Sequence, residues 1–413
     1  MVRGVRRVVI TGMGVFASPG KEVDTFFCNL LSARSAIRRI QQWDPSRLSV
    51  QIAAEVPDYS ATDYFPLKRL DLLDRFTQFG LLAAREAVKS SGLAVSDEER
   101  TRFGVVMGTG MGGAETFDST YYNLYAKNET RLHPFTIPKV MHNAVTSQIC
   151  MEYGAQGPSL AVCTACSSGG HAIGEAFHLI KFGIADIMLA GGSDAPITYG
   201  MIRSWESVRV LANGNGEPSR ACRPFSADRE GMVLGEGAAV LVLEEWERAR
   251  KRGAKVYAEL AGYGLTSDAG HITQPSVTGP ARAIRMALDE AGANPEDVDY
   301  INAHGTGTRL NDAIETQVIK EVFKDHARRV AISSTKSMHG HVMGATGAVE
   351  LVATLMAMER GMIPPTANYT RPDPECDLDY VPNEARQQRV SVAVSNSFAF
   401  GGLNAVLLVR RFG

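Results

Sequence analysis

The helical stretch that ends Ala87-Val88-Lys89-Ser90-Ser91-Gly92 returns two hundred positions later as Ala287-Leu288-Asp289-Glu290-Ala291-Gly292. Each copy leads into a segment predicted as a strand. The first strand ends in Gly108-Thr109-Gly110 and the second in His304-Gly305-Thr306-Gly307. A second pair follows: Leu160 to Gly183 and Val330 to Gly361 both read as strand, loop and helix, and both helices stop at a glycine suited to a C-terminal cap. Such self-similarity means an internal duplication, which restricts the chain to folds built from two versions of one α/β unit. The seam is expected near residue 255, at the charged stretch Glu244 to Lys255, which by itself reads as a solvated helix end. The expected halves are residues 1–255 and 256–413.

Within the halves, short β-branched runs alternate with helix-period segments. Strands are expected at Arg7 to Thr11, Phe103 to Met107, Ile187 to Ala190 and Ala238 to Leu243, and a helix over Gln78 to Lys89. The 40 glycines cluster just after apolar runs and read as loops at strand ends. A chain of 413 residues, 45% hydrophobic and 21% charged, has enough apolar surface for large cores. Its formal net charge of −2 argues against a nucleic-acid partner. No uninterrupted apolar run reaches the ~18 residues of a membrane-spanning helix. The basic start, Arg3 to Arg7, leads into an apolar run that Thr11 and Gly12 end too early for a signal peptide, so a cytoplasmic location is expected. The six cysteines then read as thiols rather than as a disulfide framework.

One of those cysteines stands apart. Ser159 to Thr164 reads as a strand and Ser168 to Lys181 as a helix with Ile173, Phe177 and Ile180 along one face, which puts Cys166 at the turn between them. A sulfur at a helix N-terminus meets unpaired N–H groups and the positive end of the helix dipole. Both favour thiolate, the form that attacks an acyl carbon. Two blander readings compete, a redox pair with Cys163 or a small buried apolar residue. Against the first, Cys163 falls inside the strand, and the Ser167-Ser168-Gly169-Gly170 turn leaves room for a ligand.

Two more strand ends carry histidines. Asp299 to His304 is a strand running into Gly305-Thr306-Gly307-Thr308, and Ser333 onward runs into Lys336-Ser337-Met338-His339-Gly340-His341 before a helix from Gly344. Active-site loops in open α/β sheets gather at such ends. Singly, each histidine is more often structural. A cysteine and two histidines on three strand-end loops of a duplicated scaffold form a candidate site.

In order and spacing these loops resemble the Cys-His-His signature of the β-ketoacyl-[acyl carrier protein] synthases, a branch of the thiolase superfamily. The resemblance extends from Val8-Val9-Ile10-Thr11-Gly12-Met13-Gly14, through Arg223-Pro224-Phe225 and Gly235-Glu236-Gly237, to Asn396-Ser397-Phe398-Ala399-Phe400-Gly401-Gly402. It implies a thiolase-like α/β fold in which two duplicated halves stack as α-β-α-β-α. It also implies a ping-pong condensation in which Cys166 takes an acyl group from a carrier-protein thioester and malonyl-ACP then loses carbon dioxide. His304 and His341 would stabilise the enolate, and the N–H groups of Cys166 and Phe400 would form the oxyanion hole. Lys336 and Glu350 match the family's lysine and the acidic residue paired with it, a pair whose role is equally read as structural. Phe400 matches a gating phenylalanine. Met111 and Trp205 fall where the family lines its acyl channel. His339 lies at a variable family position beside the site.

The sequence departs from the family pattern at Ala399, usually glycine, and at Leu403, commonly threonine. Asn311-Asp312 with Glu315-Thr316 resembles specialised lipid or polyketide synthases, the nodulation type included. A CoA-dependent thiolase would carry a second active-site cysteine near its C-terminus, where this chain reads Ser397-Phe398-Ala399-Phe400-Gly401. A short-chain initiating enzyme would pair histidine with asparagine, against His341. A non-catalytic partner subunit would lack Cys166.

No cofactor and no metal is expected. Gly12 to Gly14 and Gly108 to Gly113 do not complete a dinucleotide or phosphate loop, and Cys163 with Cys166 has no second ligand pair. The implied partners are an acyl carrier protein, met by Lys68, Arg69, Arg203 or Arg209, and a second copy pairing along Leu160 to Thr164. A heterodimer with a chain-length partner is the alternative.

Overall fold

The computed structural model describes residues 5–412; of the basic start, Arg3 lies outside them. Ten strands form one continuous sheet. The first five in the chain are β1 (Val8–Ala17), β2 (Phe103–Gly108), β3 (Ser159–Val162), β4 (Ile187–Asp194) and β5 (Gly237–Glu245). The second five are β6 (Ala258–Ser267), β7 (Tyr300–Asn302), β8 (Ala331–Ser333), β9 (Val392–Ala399) and β10 (Leu403–Arg410). Across the sheet the order is β8-β7-β9-β10-β6-β1-β5-β4-β2-β3.

The duplication is visible in that order. From β1 outward, β5 and β4 are antiparallel neighbours, and β2 and β3 then run parallel. From β6 outward, β10 and β9 are antiparallel, and β7 and β8 parallel. The two sets meet only where Val8, Val9 and Ile10 pair with Leu260, Glu259 and Ala258.

Helices fill the space on both faces. α1 (Arg75–Ser91) covers the outer face of the first strand set, and α4 (Thr278–Ala291) with α5 (Arg309–Phe323) covers that of the second. Between the sets lie α3 (Ser168–Lys181) and α6 (Thr346–Arg360), packed on each other, while α2 (Ala114–Ala126) lies at the surface. The result is the layered α-β-α-β-α arrangement. The largest core is the central one, where Ile173, Phe177 and Ile180 of α3 are buried with Val349 and Val352 of α6. Each such side chain contributes roughly 1.5–3 kcal/mol by leaving water.

Glycine does something here that the sequence reading did not foresee. Gly12 and Gly14 lie inside β1, not in a loop after it, and a Cβ on either would strike the carbonyl of Ala87 or Ala83 of α1. Gly262 and Gly264 of β6 approach the carbonyls of Ala287 and Ala283 of α4 in the same way. Strand and helix touch backbone to backbone at equivalent points of both halves, and β1, paired with β5 as far as Ala17, does not end at Thr11. The charged stretch after β5 is also more than solvated surface, because Arg248 and Arg252 both pair with the buried carboxylate of Glu244.

Candidate active site

The turn after β3 is tight. Ala165 adopts a left-handed φ of 50°, Cys166 follows, and Ser167 caps α3. Ser167 Oγ lies 2.8 Å from the carbonyls of both Ser397 and Leu403, which share its one proton, and so ties the turn to the β9–β10 hairpin of the other strand set. Cys166 is buried, and the N–H groups of Phe400 and of Cys166 itself point at its sulfur. The expected thiolate does not follow. Burial pushes the thiol up to about 11, outweighing Lys336 and the two N–H groups, which pull the other way. Cys163 is exposed and both thiols are free, so no disulfide joins them.

His304 follows β7 on a loop held from behind by Glu315 of α5, whose carboxylate accepts the N–H groups of His304 and Gly305 at 2.8 and 2.7 Å. Asn396 of β9 donates to the same carboxylate at 3.2 Å. His341 is fixed differently: its Nδ1 accepts the Met343 N–H at 3.0 Å. The ring's proton is therefore on Nε2. The two rings stand at 90° with centroids 5.7 Å apart. Burial, with the charge of Lys336 next in importance, holds His304 well below the usual histidine range and His341 down to about 3. Both are neutral hydrogen-bond donors at physiological pH. His339 is turned into the core, with its ring nitrogens 2.7 Å from the Gly340 carbonyl and 2.9 Å from the Thr335 hydroxyl.

Lys336 and Glu350 form a fully buried ion pair at 2.5 Å, and Lys336 Nζ also donates to the His304 carbonyl. Burial pushes Glu350 up to about 7 despite that partner. A buried pair costs desolvation that its attraction only partly returns, so such pairs persist where they orient something. Here the oriented group is the backbone of His304.

Cys166, His304 and His341 line one cavity of about 330 Å³, together with Trp205, Phe398 and Phe400. The Trp205 and Phe400 rings pack on each other in its wall, with centroids 5.9 Å apart. Met111, expected in the channel, is not part of the lining; it packs against the hydrophobic cluster that also holds Trp205. Ala399 lines the cavity and pairs in register with Leu403, so the two departures from the family pattern face each other at the hairpin end. Among the described residues no three His, Cys, Asp or Glu side chains gather as metal ligands would, and no helix is long and apolar enough to cross a membrane.

Two elements of the site escaped the sequence reading. Residues 268–275 form a loop over the cavity mouth, fastened to the Phe400 loop by the Gly401 N–H donating to the Ile272 carbonyl at 2.7 Å. Asp194, at the end of β4, is buried and accepts from Thr109 Oγ1 and from the N–H groups of Gly110, Met111 and Gly344, at 2.7 to 3.0 Å. Its position at the end of an apolar strand, Ile187 to Asp194, was the available signal.

Residues 5–249 match the family model "Beta-ketoacyl synthase, N-terminal domain", and residues 257–370 match the corresponding "C-terminal domain". The chain belongs to the β-ketoacyl synthase family. Nodulation protein E of Rhizobium leguminosarum bv. trifolii is 47% identical over 406 residues, 98% of this synthase and 99% of that protein. The 3-oxoacyl-[acyl-carrier-protein] synthase 2 of Staphylococcus aureus (strain N315) is 44% identical over 409 residues, again 98% and 99% of the two chains. Among solved structures, a β-ketoacyl synthase from Burkholderia phymatum STM815 superposes with a TM-score of 0.92 at 35% identity, covering 99% of this chain and 100% of that one. A chain of a complex between a type II PKS acyl-carrier protein and its ketosynthase gives 0.91 at 35%, with the same coverage. These likenesses bring the thiolase-like fold with them. The nodulation protein and the 3-oxoacyl-[acyl-carrier-protein] synthase stand at nearly equal identity, so overall similarity does not separate the two types for this synthase.

Proposed function

We propose that Cys166 is the acyl-accepting nucleophile of a decarboxylative Claisen condensation, with His304 and His341 as the donors that hold the enolate. The enzyme is a β-ketoacyl-ACP synthase of fatty-acid or polyketide-type elongation, forming a carbon–carbon bond. The observation that carries the residue roles is the convergence of one cysteine and two neutral imidazoles on a single cavity.

In the first half-reaction the Cys166 sulfur attacks the acyl thioester, the carbonyl oxygen gains charge between the N–H groups of Cys166 and Phe400, and the carrier leaves as its thiol with the Cys166 proton. In the second, malonyl carrier loses carbon dioxide. The electron pair from the broken bond becomes an enolate whose oxygen accepts from His341 Nε2–H and from His304. Neutral imidazoles suit this role, since they stabilise developing charge without themselves being carboxylate traps. The carbanion then attacks the acyl carbonyl and Cys166 departs as thiolate, which regains a proton from water. Lys336 and Glu350 act as positioning residues behind His304. Phe400 gates the nucleophile from a loop with two left-handed glycines, Gly401 and Gly402.

The halves 1–255 and 256–413 divide this labour, the first carrying the nucleophile and the second both histidines. The carrier docks beside the mouth, where Arg209 is exposed between Val208 and Val210, both lining residues. Lys68 is likewise exposed, whereas Arg69 pairs with Glu152 and Arg203 with Glu206. The protein works in the cytoplasm as a homodimer. β3 is an edge strand with Leu160 exposed, and Met151, Phe135 and Ile137 are exposed as well, a combination a monomer would have to protect. A chain-length partner in place of the second copy is the alternative, and the mass of the purified assembly distinguishes them.

Intact-protein mass spectrometry tests the whole reading. Wild type incubated with acyl-carrier thioesters of graded length should gain one acyl group, Cys166→Ala none, and malonyl carrier should discharge it as a ketoacyl product two carbons longer. If no length acylates Cys166, a non-catalytic subunit is the better description.

A further inference from the structure

The turn carrying Cys166 and the hairpin carrying Phe400 come from different strand sets, and two side chains join them. Ser167 is one. The other is His171, just over one turn further along α3 and buried. Its Nδ1 lies 2.7 Å from the hydroxyl of Thr164, two residues before the nucleophile. The ring also reaches the backbone carbonyl of Asn404, at the start of β10 just past the Phe400 loop. Tyr263 of β6 meets it edge to face, with centroids 6.2 Å apart.

These contacts select one form of the ring. A carbonyl only accepts, so the nitrogen towards Asn404 carries the proton, and in a neutral imidazole Nδ1 is then the acceptor for the Thr164 hydroxyl. Burial favours that neutral form. Asn404 continues the path, donating through Nδ2 to Asp268 Oδ1 at 2.7 Å and to the Gly402 carbonyl at 3.2 Å. At the other end, the left-handed φ of 50° at Ala165 is a conformation that surrounding contacts must maintain.

We propose that His171 is a positioning residue for acyl transfer: by spanning Thr164 and Asn404 it sets the spacing of the Cys166 and Phe400 N–H groups, so that both meet the oxyanion. This rests on the reading of Cys166 as nucleophile and of those N–H groups as its oxyanion donors. A misplaced donor weakens the transition state more than the bound thioester, so the effect falls on kcat and not on KM.

Two rates at Cys166 separate this from a general packing role. Acylation by an acyl-carrier thioester passes through an oxyanion; alkylation by iodoacetamide does not. His171→Ala is expected to acylate about 10- to 100-fold more slowly at saturating thioester, short of the ~10²–10³-fold cost of deleting a donor, with its alkylation rate unchanged. His171→Gln, which keeps an N–H for Asn404, recovers part of the loss, and Thr164→Val shows the same selective loss in smaller measure. Should His171→Ala not fold, the Gln and Val variants carry the test. Equal loss of both rates, or no loss of acylation, overturns the proposal. Wild type that alkylates at Cys166 but accepts no acyl group from any thioester would instead overturn the reading beneath it.

Discussion

The backbone N–H of Met343 donates to Nδ1 of His341 at 3.0 Å. One hydrogen bond from a residue two positions along the chain decides which nitrogen of the imidazole carries the proton, and burial keeps the ring from acquiring a second.

The pH dependence of stability follows. A histidine held at about 3 when folded, against an ordinary value of 6.5, contributes stability that is whole above pH 6.5 and is lost as pH falls towards 3. Relative to His341→Gln, wild type should lose up to about 1.4 kcal/mol per pH unit on acidification below 6.5. Urea titrations of both proteins at pH 7, 6 and 5 measure it. A difference that does not change with pH would mean His341 titrates in the native protein as it does in the unfolded chain, and a difference that grows in favour of wild type on acidification would mean it is already charged there.

The raised thiol of Cys166 gives a second pH prediction. Below about 11 the sulfur is mostly protonated, so its alkylation by iodoacetamide should rise close to tenfold per pH unit between 7 and 10. Lys336→Met removes a charge that favours thiolate and should slow alkylation at any fixed pH. A rate that levels off near pH 7 would mean the helix N-terminus outweighs burial.

Breaking the Lys336–Glu350 pair should be costly when one partner is removed alone and much less so when both are replaced. Lys336→Met strands a buried carboxylate and is expected to destabilise by about 3–5 kcal/mol, while Lys336→Met with Glu350→Leu recovers most of it. If the pair orients His304, the double variant regains its melting temperature yet stays slow in malonyl-carrier decarboxylation. Recovery of both would reduce the pair to a structural one.

Trp205 and Met111 should differ in their effect on chain length. Trp205 forms cavity wall and Met111 does not. Trp205→Ala should move the preferred acyl group at least one two-carbon step longer in the mass-spectrometric series, with Met111→Ala changing it less. The reverse order would place the acyl chain on the Met111 side of that cluster.

Much of this was legible in the sequence where a single physical cue decided the outcome. The αL glycines Gly92, Gly292 and Gly361 end helices as read, and the apolar face of Ser168 to Lys181 gave α3 with its bounds. What could not be read depended on partners distant in sequence. Gly12 and Gly14 looked like loop residues because nothing local reveals the helix carbonyls they approach. Cys166 looked like a thiolate because the helix N-terminus is local and its burial by the β9–β10 hairpin is not. Asp194 and Glu315 hold loops mainly through backbone N–H groups, which leave no mark in the sequence, and the place of Asp194 at the end of an apolar strand was its one local cue.

The repeated strand order also supplies an internal coordinate system. The Cys166 loop, between β3 and α3, corresponds to the His341 loop between β8 and α6, and the His304 loop after β7 corresponds to the Thr109–Met111 loop after β2. Three of these four corresponding loops thus bring reactive groups to one chamber, and the fourth, with Met111, stays behind its wall. A designer seeking to add a new function to this scaffold has that fourth loop as a vacant address, already anchored by Asp194 and already the structural twin of one that holds a histidine.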